Sequence, residues 1–189
     1  WDNTYMVTTS NPVLRVFNIV PSTDTDGIWD GTKKPPVKGT GSESDPFVIE
    51  TAENLAYVVS NGGGAGMHYV LANDIYLNDL SMVNWSNGQA NGDYIPNSWF
   101  GSYHMDGTSY ADNKVFKGTL NGAGFTVYGL YYTPGDANTA AALIPVANGA
   151  TVKNIRIKNS FISGGRWTSA LLGYSTNVTV DNVIIDKDV

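Results

Sequence analysis

The sequence predicts an all-β fold of stacked parallel strands. Three observations point there: an internal repeat, strand-spaced apolar residues within it, and a composition rich in turns. Ala142 to Ile155 aligns without gaps on Ala170 to Val183, an offset of 28 residues. A third copy is read 25 residues upstream, with Thr126-Val127-Tyr128-Gly129-Leu130 against Thr151-Val152-Lys153-Asn154-Ile155. Units of this length cannot bury an apolar face alone, so each needs a neighbour above and below. Within the units, Leu130/Tyr132, Ile155/Ile157 and Val183/Ile185 are spaced by two, which is strand spacing. The 21 glycines and the 15% of charged residues predict many turns and few helices.

Stacking the copies predicts columns. Thr126, Thr151 and Thr179 share one; Val127, Val152 and Val180 another; Leu130, Ile155 and Val183 a third; Tyr132, Ile157 and Ile185 a fourth. Arg156 and Ile184 point outward. Lys153 falls over Asp181 and Lys158 over Asp186, opposite charges worth a few tenths of a kcal/mol per exposed pair. Asn154 falls over Asn182, either as an amide ladder or as two independent turn asparagines.

Upstream, Val13-Leu14-Arg15-Val16-Phe17-Asn18-Ile19-Val20 reads as a strand held between Pro12 and Pro21, hence an edge strand or extended arm. Residues 22–46 are turn-rich, and Phe47-Val48-Ile49 is a short strand. Thr51 to Ser60 is the one helix: Thr51 caps it, Glu53 is in its first turn, Leu55, Val58 and Val59 form its apolar face, and Asn61-Gly62-Gly63-Gly64 stops it. Tyr69 to Leu77 returns to strand. Residues 78–114 form a polar, aromatic-bearing insertion, and Phe116 to Val127 leads into the repeats. The organisation read is an arm over 1–28 and one domain over 29–189, with the helix at 51–60, the insertion at 78–114 and repeats from 116 to 189.

This order of signals resembles the glycine-rich parallel β-helix domains of large secreted bacterial surface proteins, in the pectin-lyase-like superfamily. The residues carrying the resemblance are Trp29-Asp30-Gly31, Gly39 to Ile49, Leu55-Ala56, Tyr69 to Ile75, Phe116 to Val127 and Leu171-Leu172-Gly173-Tyr174. The resemblance implies a right-handed parallel β-helix, or solenoid, whose N-terminal end is capped by the helix. It implies an extracellular or cell-surface location, as an adhesin part or structural module. It leaves activity open, because this fold carries lyases, hydrolases, adhesins and passive stalks alike. The chain stops in mid-repeat at Ile184-Ile185-Asp186-Lys187-Asp188-Val189 with no capping pattern. Solenoids need caps, so the reading is a piece of a longer protein, or an end covered by a partner that stacks or donates its arm strand. A contact of that kind that does not close gives a filament.

The remaining signals bound the chemistry. A net charge of −6 argues against nucleic acid, whose phosphates need a basic surface. No apolar run is long enough to span a bilayer, there is no signal peptide, and with 0 Cys there is neither a disulfide nor a cysteine-bound metal. No catalytic set is assigned. Arg156, Lys158, Lys153, Asp181 and Asp186 alternate as solvated charges, and Asp93, Asp106 and Asp112 have no selecting pattern. His68 and His104 lack metal-ligand spacing. Asp24 to Asp30 resembles the start of a calcium loop, yet Pro35 stands where the closing Glu belongs, so Asx-turns are the preferred reading and Ca²⁺ the weaker one. No cofactor is expected. The candidate ligand or partner contacts are Trp85, Trp99, Tyr103 and Tyr110 in the insertion, since Trp and Tyr suit sugar faces and protein anchors. The competing reading packs these rings onto the body. Val13, Leu14, Val16, Phe17 and Ile19 are the candidate assembly arm. The function expected is a non-catalytic, self-assembling surface module; the alternative is a carbohydrate-binding or polysaccharide-degrading protein.

Overall fold

A computed structural model describes residues 27–99, 115–133 and 140–186. The arm residues Val13, Leu14, Val16, Phe17 and Ile19 lie outside the described residues, as do Tyr103 and Tyr110. The elements are β1 (Phe47–Ile49), α1 (Ala52–Ser60), β2 (His68–Leu71), β3 (Ile75–Tyr76), β4 (Val83–Asn84), β5 (Gln89–Ala90), β6 (Thr119–Asn121), β7 (Thr126–Tyr128) and β8 (Tyr131–Tyr132). There follow β9 (Ala140–Ala141), β10 (Ile144–Asn148), β11 (Thr151–Lys158), β12 (Phe161–Ile162), β13 (Trp167–Thr168), β14 (Leu172–Thr176) and β15 (Thr179–Ile185). The described chain is therefore mostly β with one short helix. Its pairings are parallel except in the hairpin β4–β5.

The main sheet has seven strands. β1 pairs with β2, β2 with β6, and β6 with the first half of β11; β3 pairs with β7, and β7 with the second half of β11; β15 lies on the far edge of β11. β10–β14, β8–β12 and β9–β13 form three smaller parallel pairs. The 28-residue repeat holds in register: Thr151 pairs with Thr179, Lys153 with Asp181, Ile157 with Ile185, and Ile144 with Leu172.

The upstream copy is corrected. Thr119, not Thr126, pairs with Thr151, and Thr126 pairs with Arg156. The cause is the turn between β6 and β7, which is two residues longer than its equivalent in β11. Ala123 (φ 51) and Gly124 (φ 87) carry it, and Phe125 N–H closes it on Gly122 O at 2.8 Å. β11 makes the same bend with one left-handed residue, Asn154 (φ 54). The true apolar columns are Tyr69–Leu120–Val152–Val180 and Ile75–Val127–Ile157–Ile185. The expected strand from Tyr69 to Leu77 is likewise broken at residues 72–74, which separate β2 from β3.

The helix forms where capping chemistry places it. Thr51 Oγ1 accepts from Asn54 N–H, and Glu53 lies in the first turn. Ala52, Leu55, Ala56, Val58 and Val59 are buried in the same core as Ile49 and Leu71. Each fully buried Leu, Ile or Val side chain there contributes about 1.5–3 kcal/mol. Asn54 also accepts from Glu50 N–H (3.2 Å) and donates to Lys34 O (3.0 Å), and Val48 N–H donates to Lys38 O (3.0 Å). The chain before β1 thus runs along the outer edge of β1, and that edge of the sheet is covered.

Candidate functional site

The described part of the insertion, residues 78–99, is more ordered than its composition suggests. β4 and β5 form a hairpin, and Gly88 (φ 71) in its turn rests on the Phe161 ring, leaving no room for a Cβ. Trp85 and Trp99 are 8% and 1% exposed. Trp85 Nε1–H donates to Leu80 O at 3.0 Å and Trp99 Nε1–H to Leu143 O at 3.0 Å. The Trp99 ring meets that of Trp29 edge-on at 5.0 Å. Both rings are buried in the described body, where the competing reading packs them. The physical reason is area: an indole recovers more free energy buried with its N–H paired than lying on a surface. Of Asp93, Asp106 and Asp112, only Asp93 is among the described residues, and it is exposed.

Sequence reasoning missed the residue that ties the insertion down. Asn78 is fully buried. Its Nδ2 donates to Gly129 O (2.9 Å) and Asn97 O (3.0 Å); its Oδ1 accepts from Asn97 N–H (2.7 Å) and the Tyr94 hydroxyl (3.1 Å). A Cβ at Gly129 (φ 73) would come within 2.9 Å of Asn78 N, so glycine is required for this approach. Nothing local in Leu77-Asn78-Asp79 distinguishes this asparagine from a turn residue.

A groove of about 420 Å³ lies between the start of α1 and β3, lined by Glu50, Thr51, Glu53, Asn73, Asp74 and Tyr76 among others. Its acids hold structure together. Asp74 Oδ1 accepts from Thr126 N–H at 2.8 Å, and Glu50 Oε1 meets Lys38 Nζ at 2.6 Å. Burial raises the Tyr76 hydroxyl above its ordinary pKa, with smaller contributions from Tyr128, stacked on it at 4.9 Å, and from Asp74. Asp30 forms an Asx-turn, its Oδ1 accepting from Thr32 N–H (2.9 Å) and Oγ1–H (2.6 Å). Those bonds hold its pKa below the usual carboxylate value. Asp24 and Asp26 lie outside the described residues. Among the described residues no three His, Asp or Glu gather into a metal-binding group.

The expected charge columns are partly re-paired. Lys153 is in register with Asp181, and Asp186 Oδ2 meets Arg156 Nε at 3.7 Å. The asparagine ladder is present and one member longer than expected: Asn182 Nδ2 donates to Asn154 Oδ1 (2.8 Å), and Asn154 Nδ2 to Asn121 Oδ1 (3.0 Å). Asn154 and Asn182 are both left-handed, at φ 54 and 48. Asparagine tolerates that conformation better than most residues do.

The feature that stands out is the far edge of β15. Val180 and Ile185 occupy columns whose preceding members, Val152 and Ile157, are 0% exposed, yet they are 47% and 51% exposed. Ile184 beside them is 43% exposed. The same residue types at the same register pass from core to surface because no described strand follows. Among the described residues, one end of the parallel sheet is covered by α1 and residues 34–38, and the β15 edge carries half-exposed apolar side chains.

No family model matches the chain, and no solved structure matches it. It is similar to Halomucin of Haloquadratum walsbyi, with 27% identity over 155 residues, 82% of this chain. The chain spans 2% of the length of that protein. In the described residues no helix is long and apolar enough to cross a membrane.

Proposed function

We propose that this chain is a non-catalytic, extracellular structural module: a parallel β-helix of the pectin-lyase-like kind that assembles end to end. The observation that carries the reading is the stacking of repeat on repeat in register, β10 on β14 and β11 on β15, which makes a column of strands rather than a cleft. The parallel registers recurring every 28 residues support the β-helix, and the buried helix beside β1 supports its role as the cap. Similarity to a stretch amounting to 2% of Halomucin supports a module of a very long protein. Burial of Trp85 and Trp99 removes two of the platforms a carbohydrate-binding reading needs.

Light scattering and negative-stain microscopy of the purified chain, with and without residues 1–22, test this. Large assemblies that vanish on deletion are the expected result. A monomer in both cases overturns it.

A further inference from the structure

We propose that Asn91 is a site of spontaneous covalent modification: the backbone nitrogen of Gly92 displaces its side-chain amide, leaving aspartate or isoaspartate where the chain leaves β5.

The chain contains five Asn-Gly pairs, beginning at Asn61, Asn87, Asn91, Asn121 and Asn148. Glycine has no Cβ to obstruct the closing of its own nitrogen onto the side chain before it. By sequence the five sites are therefore alike. The fold separates them, because the attacking nitrogen must be free of other bonds and must have room to move.

Four of the five nitrogens are engaged. Gly62 N–H donates to Val59 O (3.4 Å), Gly88 N–H to Asn84 O (2.7 Å), Gly122 N–H to Lys153 O (2.8 Å) and Gly149 N–H to Thr176 O (3.0 Å). Gly62, whose bond is the longest, is also buried. Among the described residues nothing accepts from Gly92 N–H. An engaged N–H must leave its acceptor before it can attack, which adds about one hydrogen bond to the barrier, roughly tenfold in rate.

Space separates the sites in the same direction. A Cβ at Gly88 would run into the Phe161 ring, and one at Gly122 into Asn154 O and Ile155, each within 2.6 Å. A Cβ at Gly92 would meet nothing within 4 Å, and Asn91, Gly92 and Asp93 are all exposed. Of the five, Gly92 alone has both a free nitrogen and open surroundings.

The chemistry balances with water as the one co-reactant. Gly92 N gives its proton to solvent and attacks Asn91 Cγ. The N–Cγ bond forms, the Cγ–Nδ2 bond breaks, and Nδ2 takes a proton from solvent and leaves as ammonia. Water then opens the five-membered imide at either carbonyl, giving aspartate or its isomer with the main chain routed through the side chain. The nitrogen that departs is one that holds the hairpin. Asn91 N–H donates to Met82 O (2.9 Å), and Asn91 Nδ2 to Ser81 O (3.0 Å). A carboxylate there has no hydrogen to give that carbonyl. Modification thus loosens the insertion just ahead of Tyr94, whose hydroxyl reaches Asn78.

The test is to hold the full-length chain at mildly alkaline pH and follow amide loss at each of the five asparagines by peptide mapping and mass spectrometry. Enzymatic methylation of isoaspartate detects the isomer. In the folded chain, loss at Asn91 should run about tenfold faster than at Asn121 or Asn148. It should quicken as pH rises, because the attacking nitrogen must lose its proton. In denaturant, where the hydrogen bonds are gone, the five rates should converge. Asn91→Gln should remove the fast site and leave the other four rates unchanged, since closure onto the longer side chain needs a six-membered ring. Equal rates at the five sites in the folded chain overturn the proposal. So does an advantage of Asn91 that persists undiminished in denaturant, which would assign it to sequence and not to the fold.

Discussion

At Asn154 two demands meet on one residue. The backbone turns left-handed, and the amide bridges Asn121 and Asn182. Asn154→Ala removes both bonds and leaves a Cβ in an unfavourable conformation. It should cost about 2–3 kcal/mol, whereas Asn154→Gly, which relieves the backbone, should cost about 1 kcal/mol. Urea unfolding of the two variants separates backbone from amide. Tyr76 makes a pH prediction. Burial first, then Tyr128 and Asp74, raise its pKa in the folded state. A raised phenol binds its proton more tightly folded than unfolded. Its contribution is therefore complete below about pH 10 and is lost as pH rises through the folded value. Burial also raises Tyr69. The thermal midpoint should fall above pH 10, and Tyr76→Phe, which keeps the ring stacked on Tyr128, should fall less steeply. An equally steep fall would exclude Tyr76 as a cause. The pairing of Asn154 with Asn182 was legible because their repeat copies align without a gap. Asn121 was not, because it stands in the register column of Lys153, one position before Asn154, and reaches Asn154 only by its side chain. Asn78 was illegible for another reason: its partners at residues 94, 97 and 129 are remote in sequence.

Elements differ in how much of their cause is local. The helix was readable to within one residue because its cap, first-turn acid and glycine stop lie inside a short window. Thr51→Ala should lower stability by about 1 kcal/mol, measurable as a shift in the urea midpoint. The insertion was unreadable because what holds it is distant. Trp99 reaches Leu143 O and the Trp29 ring, and Asn97 Nδ2 donates to Trp29 O. The aromatic residues that suggested a contact surface are, for Trp85 and Trp99, the anchors that seat the loop. Trp99→Ala leaves a cavity the size of an indole and an unpaired Leu143 carbonyl, so it should cost about 3–5 kcal/mol. Asp93→Ala, on the exposed part of the same insertion, should change stability by under about 0.5 kcal/mol. Equal effects of the two substitutions would mean that the insertion is not seated by its tryptophan.

For the whole molecule the consequence is polarity. Among the described residues, one end of the sheet is covered by α1 and residues 34–38, while β15 presents half-exposed members of the core columns. Position along the stack, not residue type, then decides what a charge does. Val152→Lys and Ile157→Lys each put an ammonium group into columns that are 0% exposed, with no partner. Each should cost more than about 4 kcal/mol and leave little folded protein. The same substitutions one repeat later, Val180→Lys and Ile185→Lys, land on side chains that are 47% and 51% exposed, where the ammonium can stay in water. These variants should keep circular dichroism and the thermal midpoint close to the parent. Folded protein from Val180→Lys and Ile185→Lys, beside unfolded chains from Val152→Lys and Ile157→Lys, is the expected pattern by gel filtration and circular dichroism. Unfolding of the two β15 variants as well would show that β15 is as deeply buried as β11 in solution.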